Sequence, residues 1–444
     1  MNTTFSKLTR KLQTKASSED GAMTAFGLLM FVSSCALGGI ALDMSNALQV
    51  RTQLQVAADS AAHAALVERQ SGGTEPEAIV AALAVVERAL PSEVYGNTLL
   101  PEDIVFGLWD QGTRTFTPSI GADDAVMVDT SRLVGRGNRV RAFLLRFAGV
   151  PGFDVVRRSI ADTYVPTCML EGFVGDQYVD VTSNNLYTSG FCIHSNGYVA
   201  LNSNNIYEPG VIVSMPDKRD VVLPSSGMES NDGLEESLRD GYYEINAAGR
   251  VDMMLNGIID INSPVYPDYL TSPLPVTVEW KGQLDETVWQ EGRIHQITCP
   301  NTNQSISIPT STVLREGVLI TNCKVAFGSG AAAEDVTIIT TSTAEASITG
   351  ASGIRMGRKD DCAPGGGAQF FSLGGFRAPA GMEMNGSRIV AAGSVSFAAD
   401  VGSINGASVI SDQHINATAS GRIGFCGPDG LPIWYEPEFF RIVQ

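Results

Sequence analysis

The sequence predicts an α+β protein in two parts. An N-terminal transmembrane helix continues onto a small antiparallel sheet, and a β-rich domain follows, built as a right-handed parallel β-helix, a solenoid. Three observations predict this. An uncharged apolar run from Gly21 to Leu42 passes without a turn into an Ala-rich polar helix, a Ser-Asn-Asn motif returns after twenty residues, and two cysteine pairs share a spacing of 24.

The apolar run, GAMTAFGLLMFVSSCALGGIAL, is 22 residues long. At roughly 1.5 Å per residue it crosses a hydrocarbon core of about 30 Å, where only a helix satisfies its own backbone. The arm before it holds Lys7, Arg10, Lys11 and Lys15 and no acid before Glu19. Cations flanking a span stay in the cytoplasm, so the arm places the N-terminus inside and everything after Leu42 outside. A cleaved secretory signal is the alternative, but its apolar region is about 7 to 15 residues and ends at a small-residue cleavage site. Here Asp43 leads instead into MSNALQVRTQLQVAADSAAHAALVER, helix-forming throughout.

Along that helix Ala47, Val50, Leu54, Ala57, Ala61 and Ala64 recur at spacings of three and four, forming one apolar seam. Its small residues allow close approach of another backbone, either a partner helix or the chain's own sheet. A Gly-Gly break at 72 and 73 precedes a second helix from Pro76 to Ala89, ended by Pro91. Four strands are expected next: Ile104 to Trp109, Val126 to Val134, Arg139 to Phe147 and Phe153 to Val165.

The pattern G-A-x-x-A-F, then L-D-M at 42–44 and RTQLQVAADSAAHAA at 51–65, resembles the N-terminal segment of TadE/TadG-like proteins of the tight-adherence (Flp) pilus assembly system. Its most specific part runs from Leu54-Gln55 to Asp59-Ser60-Ala61-Ala62, and the likeness extends through IVFGLWD at 104–110 and NRVRAFLLRFAGV at 138–150. The resemblance implies a single-pass bacterial inner-membrane component of pilus assembly. Its helix and sheet would be pilin-like, its C-terminal domain periplasmic or extracellular, and its partners other pilus-assembly or pilin subunits. Two departures qualify it. Pilin-like members cut by a prepilin peptidase carry Glu five residues after the cleavage glycine, where Phe26 stands here. The D-x-S-x-S metal motif of long members is also lacking, its nearest relative being Asp43 to Ala47 on the helix.

The formal charge of −18 becomes −22 once the four arm cations are set aside. That balance excludes nucleic acid as a partner, because phosphates require a basic surface. Cys35 lies in the membrane run, where a thiol is a small apolar group. The other six, Cys168, Cys192, Cys299, Cys323, Cys362 and Cys426, all lie beyond it. An even number in an oxidising compartment implies disulfides, though six cysteines allow fifteen pairings. The shared spacing favours Cys168 with Cys192 and Cys299 with Cys323, leaving Cys362 with Cys426.

From Cys168 the texture turns to short β-rich runs. Ser183 to Gly190 returns as Ser203 to Gly210, and Met384 to Val390 as Ile404 to Ile410, both after twenty residues. Such a period is about one coil of a β-helix, with Asn side chains stacking as ladders between coils. A β-sandwich with coincidental repeats is the alternative. Residues 217–298 break the pattern and read as a lateral insertion or a helical layer over one face. The aromatic end, Trp434 to Phe440, reads as a cap on the last coil. The resulting boundaries are a cytoplasmic arm (1–20), a transmembrane helix (21–42), a helix-plus-sheet unit (43–165), a solenoid (166–430) and a tail (431–444).

Parallel β-helices also host enzymes acting on polysaccharide, whose chemistry needs paired acids or an Arg or Lys base. The candidates are Asp360 and Asp361 beside Arg358 and Lys359, and Asp412 with His414; short polar clusters of this kind are more often solvated turns. His194 sits in a strand-like FCIH stretch, as structural histidines do. No H-E-x-x-H, G-x-S-x-G, P-loop or dinucleotide motif occurs, and Gly365 to Gly367 follow a proline outside any strand-to-helix context. Calcium around Asp429-Gly430 is an unspecific option. No catalytic, cofactor or metal residue is therefore assigned. The expected function is non-enzymatic anchoring or presentation in pilus assembly, with a surface, protein or glycan contact on the solenoid. The competing function is a membrane-tethered β-helix enzyme or binding module for polysaccharide.

Overall fold

The computed structural model describes residues 20–70, 73–164, 166–301, 303–361, 363–426 and 439–443. The chain divides into two compact units, one formed by residues 1–164 with 438–444 and one by residues 165–437.

In the first unit, helix α1 (Asp20–Gln70) runs unbroken for 51 residues. From Met23 to Leu42 nearly every side chain is exposed, and beyond Asp43 the helix acquires a buried face. Helix α2 (Glu75–Ala89) packs against it, its start fixed by the Glu77 carboxylate, which accepts from the Thr74 N–H and hydroxyl at 2.7 Å each. The antiparallel sheet runs Thr115–Pro118, Ile104–Asp110, Ala125–Arg132, Val155–Tyr164, Phe439–Ile442. The alternating inward residues Val126, Val128 and Ala161 form a core with Leu54, Ala57, Ala61, Ala62, Ala65 and Leu66 of α1 and Ala78, Ala82 and Val86 of α2.

Two expectations are corrected here. Arg139 to Phe147 is not a strand. Only Val140–Arg141 pairs, with Gly152–Phe153, before the chain turns into a 3₁₀ segment at Leu145–Ala148. The Asp43 carboxylate draws in the N–H groups of Phe143, Leu144 and Leu145 at 2.7, 3.0 and 2.7 Å, leaving none of them for a ladder. The aromatic tail does not cap the solenoid either. Phe439–Ile442 is the edge strand beside Val155–Tyr164, with Phe440 packed on this unit's core. Residues 431–438 lie outside the described residues.

The second unit is a β-solenoid of parallel strands whose stacking order is not the chain order. One face reads, along the stack, Val276–Val278, Arg293–Ile297, 317–321, 336–340, Ala368–Ser372, 387–391, 408–411, Gly172–Gly175, Cys192–Ser195, Ile212–Met215, Leu238–Asp240. The chain enters mid-stack at Gly172 and winds to one end at Asp240. It then crosses to the opposite end at Val276 and winds back until residues 408–424 lie against the first coil. An inner column, Leu319, Ile338, Phe370, Ile389, Val409, Phe173, Ile193, Val213 and Leu238, passes through that joint as one continuous core. At the Val276 end, Trp289 stacks on His295 at 4.3 Å and donates its indole N–H to the Arg315 carbonyl.

The segment 217–298 is therefore only partly an insertion. Asn231–Asp232 and Leu238–Asp240 still pair with the preceding coil, and Val276–Val278 begins the next series. The period is lost because the turns lengthen, while the register survives: Asn231 stands opposite Asn205. The departing stretch is 241–275, whose helix Ala247–Gly257 covers the outer side of one face against the strands Ala332–Thr340, Ala368–Ser372 and Phe376–Ala391. Val174, Phe371, Val390 and Ile410, which point away from the inner column, are also buried, and over the strands Ala368–Ser372 and Phe376–Ala391 the outer cover is this helix.

Cys168–Cys192 and Cys299–Cys323 are disulfides joining adjacent coils. Cys426 is also disulfide-bonded, whereas Cys362 lies outside the described residues. Among the described residues Cys35 is free.

The repeat itself has a structural cause. Asn184 and Asn204 take left-handed φ angles of 66° and 63°, which Asn tolerates better than most residues. Asn185 and Asn205 turn inward, so that the Asn205 Oδ1 accepts the N–H and the amide of Asn185, both at 3.0 Å. The Asn231 Oδ1 takes the Asn205 N–H at 3.2 Å and extends the ladder. Tyr187 and Tyr207 stack beside it, with ring centroids 5.0 Å apart.

Candidate functional site

The seam foreseen on α1 is occupied by the chain itself. Val50, Leu54, Ala57 and Ala61 are buried and Ala47 and Ala64 half-buried, packed on α2 and the sheet. Of the two neighbours the spacing allows, a partner helix or the chain's own sheet, the structure sets the chain's own sheet, together with α2, against the buried members of the seam. The motif residues serve the same docking. The Leu54 carbonyl accepts the Thr130 hydroxyl at 2.8 Å in the buried interface. Gln55 donates to Asp59 at 2.8 Å and to the Arg158 carbonyl at 3.1 Å, while Arg158 holds Asp129 through two bonds.

What α1 leaves uncovered above the apolar run is a stripe at fourfold spacing, Met44, Leu48, Thr52 and Val56. Its three apolar members are each at least half exposed and prolong the line of exposed Leu37 and Ile40. Beside the same stretch, a groove of about 430 Å³ is lined by Asn46, Val50 and Phe143 together with Arg132, Arg139 and Arg141. Sequence periodicity found the buried seam and missed this outer stripe, although Met44, Leu48 and Val56 were in plain view.

In the solenoid the acid and base candidates are dispersed. Arg358 pairs with Asp360 at 3.0 Å and approaches Asp335 at 3.8 Å, and Asp335 also accepts the Gly366 N–H at 2.6 Å. Gly365 and Gly366, with φ of 82° and 78°, wrap the turn around the guanidinium rather than cradling a ligand. Burial raises the Asp335 carboxyl above its ordinary range, against the pull of that N–H and of Arg358. Asp412 accepts the N–H groups of Ala247 and Ala248 at 2.6 and 3.0 Å, an anion at the N-terminus of the covering helix. His414 is turned to a different task, stacking on Tyr178 at 4.6 Å.

A polar cluster that no local pattern announces lies close to the joint. The His194 Nε2 meets the Asn196 Oδ1 at 3.0 Å, and the Ser214 hydroxyl meets Nδ1 at 2.8 Å. An amide oxygen carries no hydrogen, so the ring proton sits on Nε2 and Nδ1 accepts. The Asn196 amide donates to Asp176 and to the Tyr243 carbonyl, tying the crossing segment to the coil. Burial lowers the His194 pKa from 6.5 to about 4, so the ring is neutral. The cluster positions chain and leaves no open face for a substrate.

Among the described residues no group of three or more His, Cys, Asp or Glu side chains could hold a metal ion. Asp429-Gly430 and the basic arm lie outside the described residues.

Residues 172–427, more than half of the chain, match the model of the DUF7867 family, described as a domain of unknown function. Residues 21–70 match the Tad model, TadE/G-like Flp pilus assembly. No curated protein and no solved structure matches the chain. With a solenoid whose last coil lies against its first, the chain is thus a member of the DUF7867 family, and its residues 21–70, on a helix with an exposed apolar start, are similar to the TadE/G-like Flp pilus-assembly proteins.

Proposed function

We propose that the protein is a non-enzymatic, inner-membrane-anchored component of tight-adherence pilus assembly. The arm lies in the cytoplasm, α1 crosses the membrane, and both folded units are exported, with the solenoid meeting a protein or a surface. The observation that supports this most is the character of α1. One uninterrupted helix, within the Tad-matched segment, is exposed and apolar over its first part and serves as the core of a folded unit over its second. The stripe Met44, Leu48 and Val56 is the surface left for another helix of the assembly, and pilus-assembly or pilin subunits are the expected partners. Leu48→Glu with Val56→Glu, expressed in cells lacking the native protein, should leave its membrane level unchanged and abolish piliation. Full piliation would remove the stripe from the mechanism.

The reading as a polysaccharide-acting enzyme is weakened by the engagement of two of the candidate acids, Asp360 with Arg358 and Asp412 with the covering helix. Shortening of a surface polysaccharide by the purified full-length protein would restore it.

A further inference from the structure

We propose that the loop Phe143 to Val150 is a second membrane contact, lying in the headgroup boundary of the leaflet where α1 emerges. This rests on the reading of α1 as a membrane anchor. The loop is the tip of the hairpin formed by Val140–Arg141 and Gly152–Phe153. Phe143, Leu144, Phe147 and Val150 on it are exposed, Phe147 to 78%. Outside α1, the other exposed large apolar residues of this unit, such as Val80, Val94, Leu108 and Ile120, fall singly. Four within eight residues form a patch that a soluble surface does not present without a partner.

The position of the patch identifies its partner. Asp43, the first residue after the apolar run, is fully buried and accepts the N–H groups of Phe143, Leu144 and Leu145. Gly39 lies so close to the loop that a Cβ there would stand 3.0 Å from the Leu144 Cβ. The loop is thereby fastened to α1 between residues 39 and 43, about 6 Å of helix at the point where the apolar run ends. Interfacial segments bury their apolar face about 5 to 10 Å into the headgroup and acyl boundary, the depth this fastening imposes. The polar side chains agree. Arg141 and Arg146 are exposed on the loop, and the Arg146 guanidinium lies 5.0 Å from the Phe147 ring centroid. Arg139 flanks them, paired with Asp154. Apolar tips between cations suit an anionic leaflet, with rings among the acyl chains and guanidinium groups at the phosphates. A helix alone leaves its unit free to swing about the point of exit. A second contact beside it fixes the unit's height and tilt over the membrane.

The test uses the full-length chain with Cys35→Ser and one introduced cysteine, nitroxide-labelled without reductant so that the disulfides stay closed. It is reconstituted in vesicles of phosphatidylethanolamine and phosphatidylglycerol. Label positions are Phe147→Cys, Phe143→Cys, the membrane-run position Leu29→Cys and the exposed turn position Ile120→Cys. Collision with a water-soluble nickel complex should fall several-fold at 147 and 143 relative to 120, and further at 29. Equal collision at 147, 143 and 120 with 29 shielded overturns the inference alone, as it would if a protein rather than lipid covers the loop. Equal collision at all four positions overturns the anchor reading and the inference with it.

Discussion

Val409, near the end of the solenoid's chain, lies in parallel register beside Phe173, near its beginning. The Phe173 ring packs edge-on against Phe191 of the next coil and Phe397 of the returning chain, with centroids 5.1 and 5.6 Å apart. The joint between first and last coils is thus as well packed as any joint within either series. In a solenoid each coil is stabilised by its two neighbours, so a mid-stack entry lets the first coil be covered on both sides.

Phe173→Ala should cost about 3 to 5 kcal/mol, the usual range for a buried ring removed from a packed core. Hydrogen exchange should rise together in 172–195 and in 395–424. Faster exchange in only one of these stretches would mean that the joint does not couple them.

The neutral, buried His194 predicts a pH dependence. Its pKa is near 4 in the fold and near 6.5 when unfolded, so below pH 6.5 the unfolded chain takes up the proton first. The contribution is complete above pH 6.5 and is lost as pH falls toward 4, amounting to about 3 kcal/mol. Full-length protein in detergent should lose that much more stability than a His194→Gln variant over this interval. Parallel curves for the two proteins would refute the assignment.

Asn205→Ala removes the acceptor of two bonds from Asn185 and should lower stability by about 1 to 3 kcal/mol. Asn204→Gly, on the exposed left-handed position one residue earlier, should change it by less than about 0.5 kcal/mol. Thermal unfolding of both variants measures the ladder against the turn.

Ala61→Leu should destabilise the first unit by about 1 to 3 kcal/mol through overpacking, since Ala61 is fully buried between α1, α2 and the sheet. Leu48→Glu on the outer stripe should leave its melting unchanged. The two variants separate a role in folding from a role in assembly.

Asp43→Ala should release the loop without unfolding α1, seen as faster amide exchange at Phe143, Leu144 and Leu145 while 54–66 stays protected. Protection retained at all three amides would show that the carboxylate is not what holds the loop.

Local pattern revealed the long apolar helix, the second helix, the twenty-residue coil and the Asn ladder, because each depends on neighbours at helical spacing or on a period carried in the chain. Arg139 to Phe147 deceived the same reading. It has the alternation of a strand, but the N–H groups of Phe143, Leu144 and Leu145 are taken by a carboxylate on α1, a competitor far away in sequence. Val390 lies on a strand that the helix Ala247–Gly257 packs against, and its burial on the side away from the inner column rests on that contact between distant parts of the chain.

The sequence by itself determined that a 22-residue apolar helix runs on into a packed one and that β-coils of about twenty residues follow, since hydrophobic period and turn chemistry are local. Only the tertiary structure decided which coil lies beside which, where the tail strand goes and what faces the α1 seam. Parallel coils present nearly the same edge to any neighbour, so stacking order is set by the crossing segment 241–275, the His194 cluster and Asp412. Their contacts join residues that no local pattern relates.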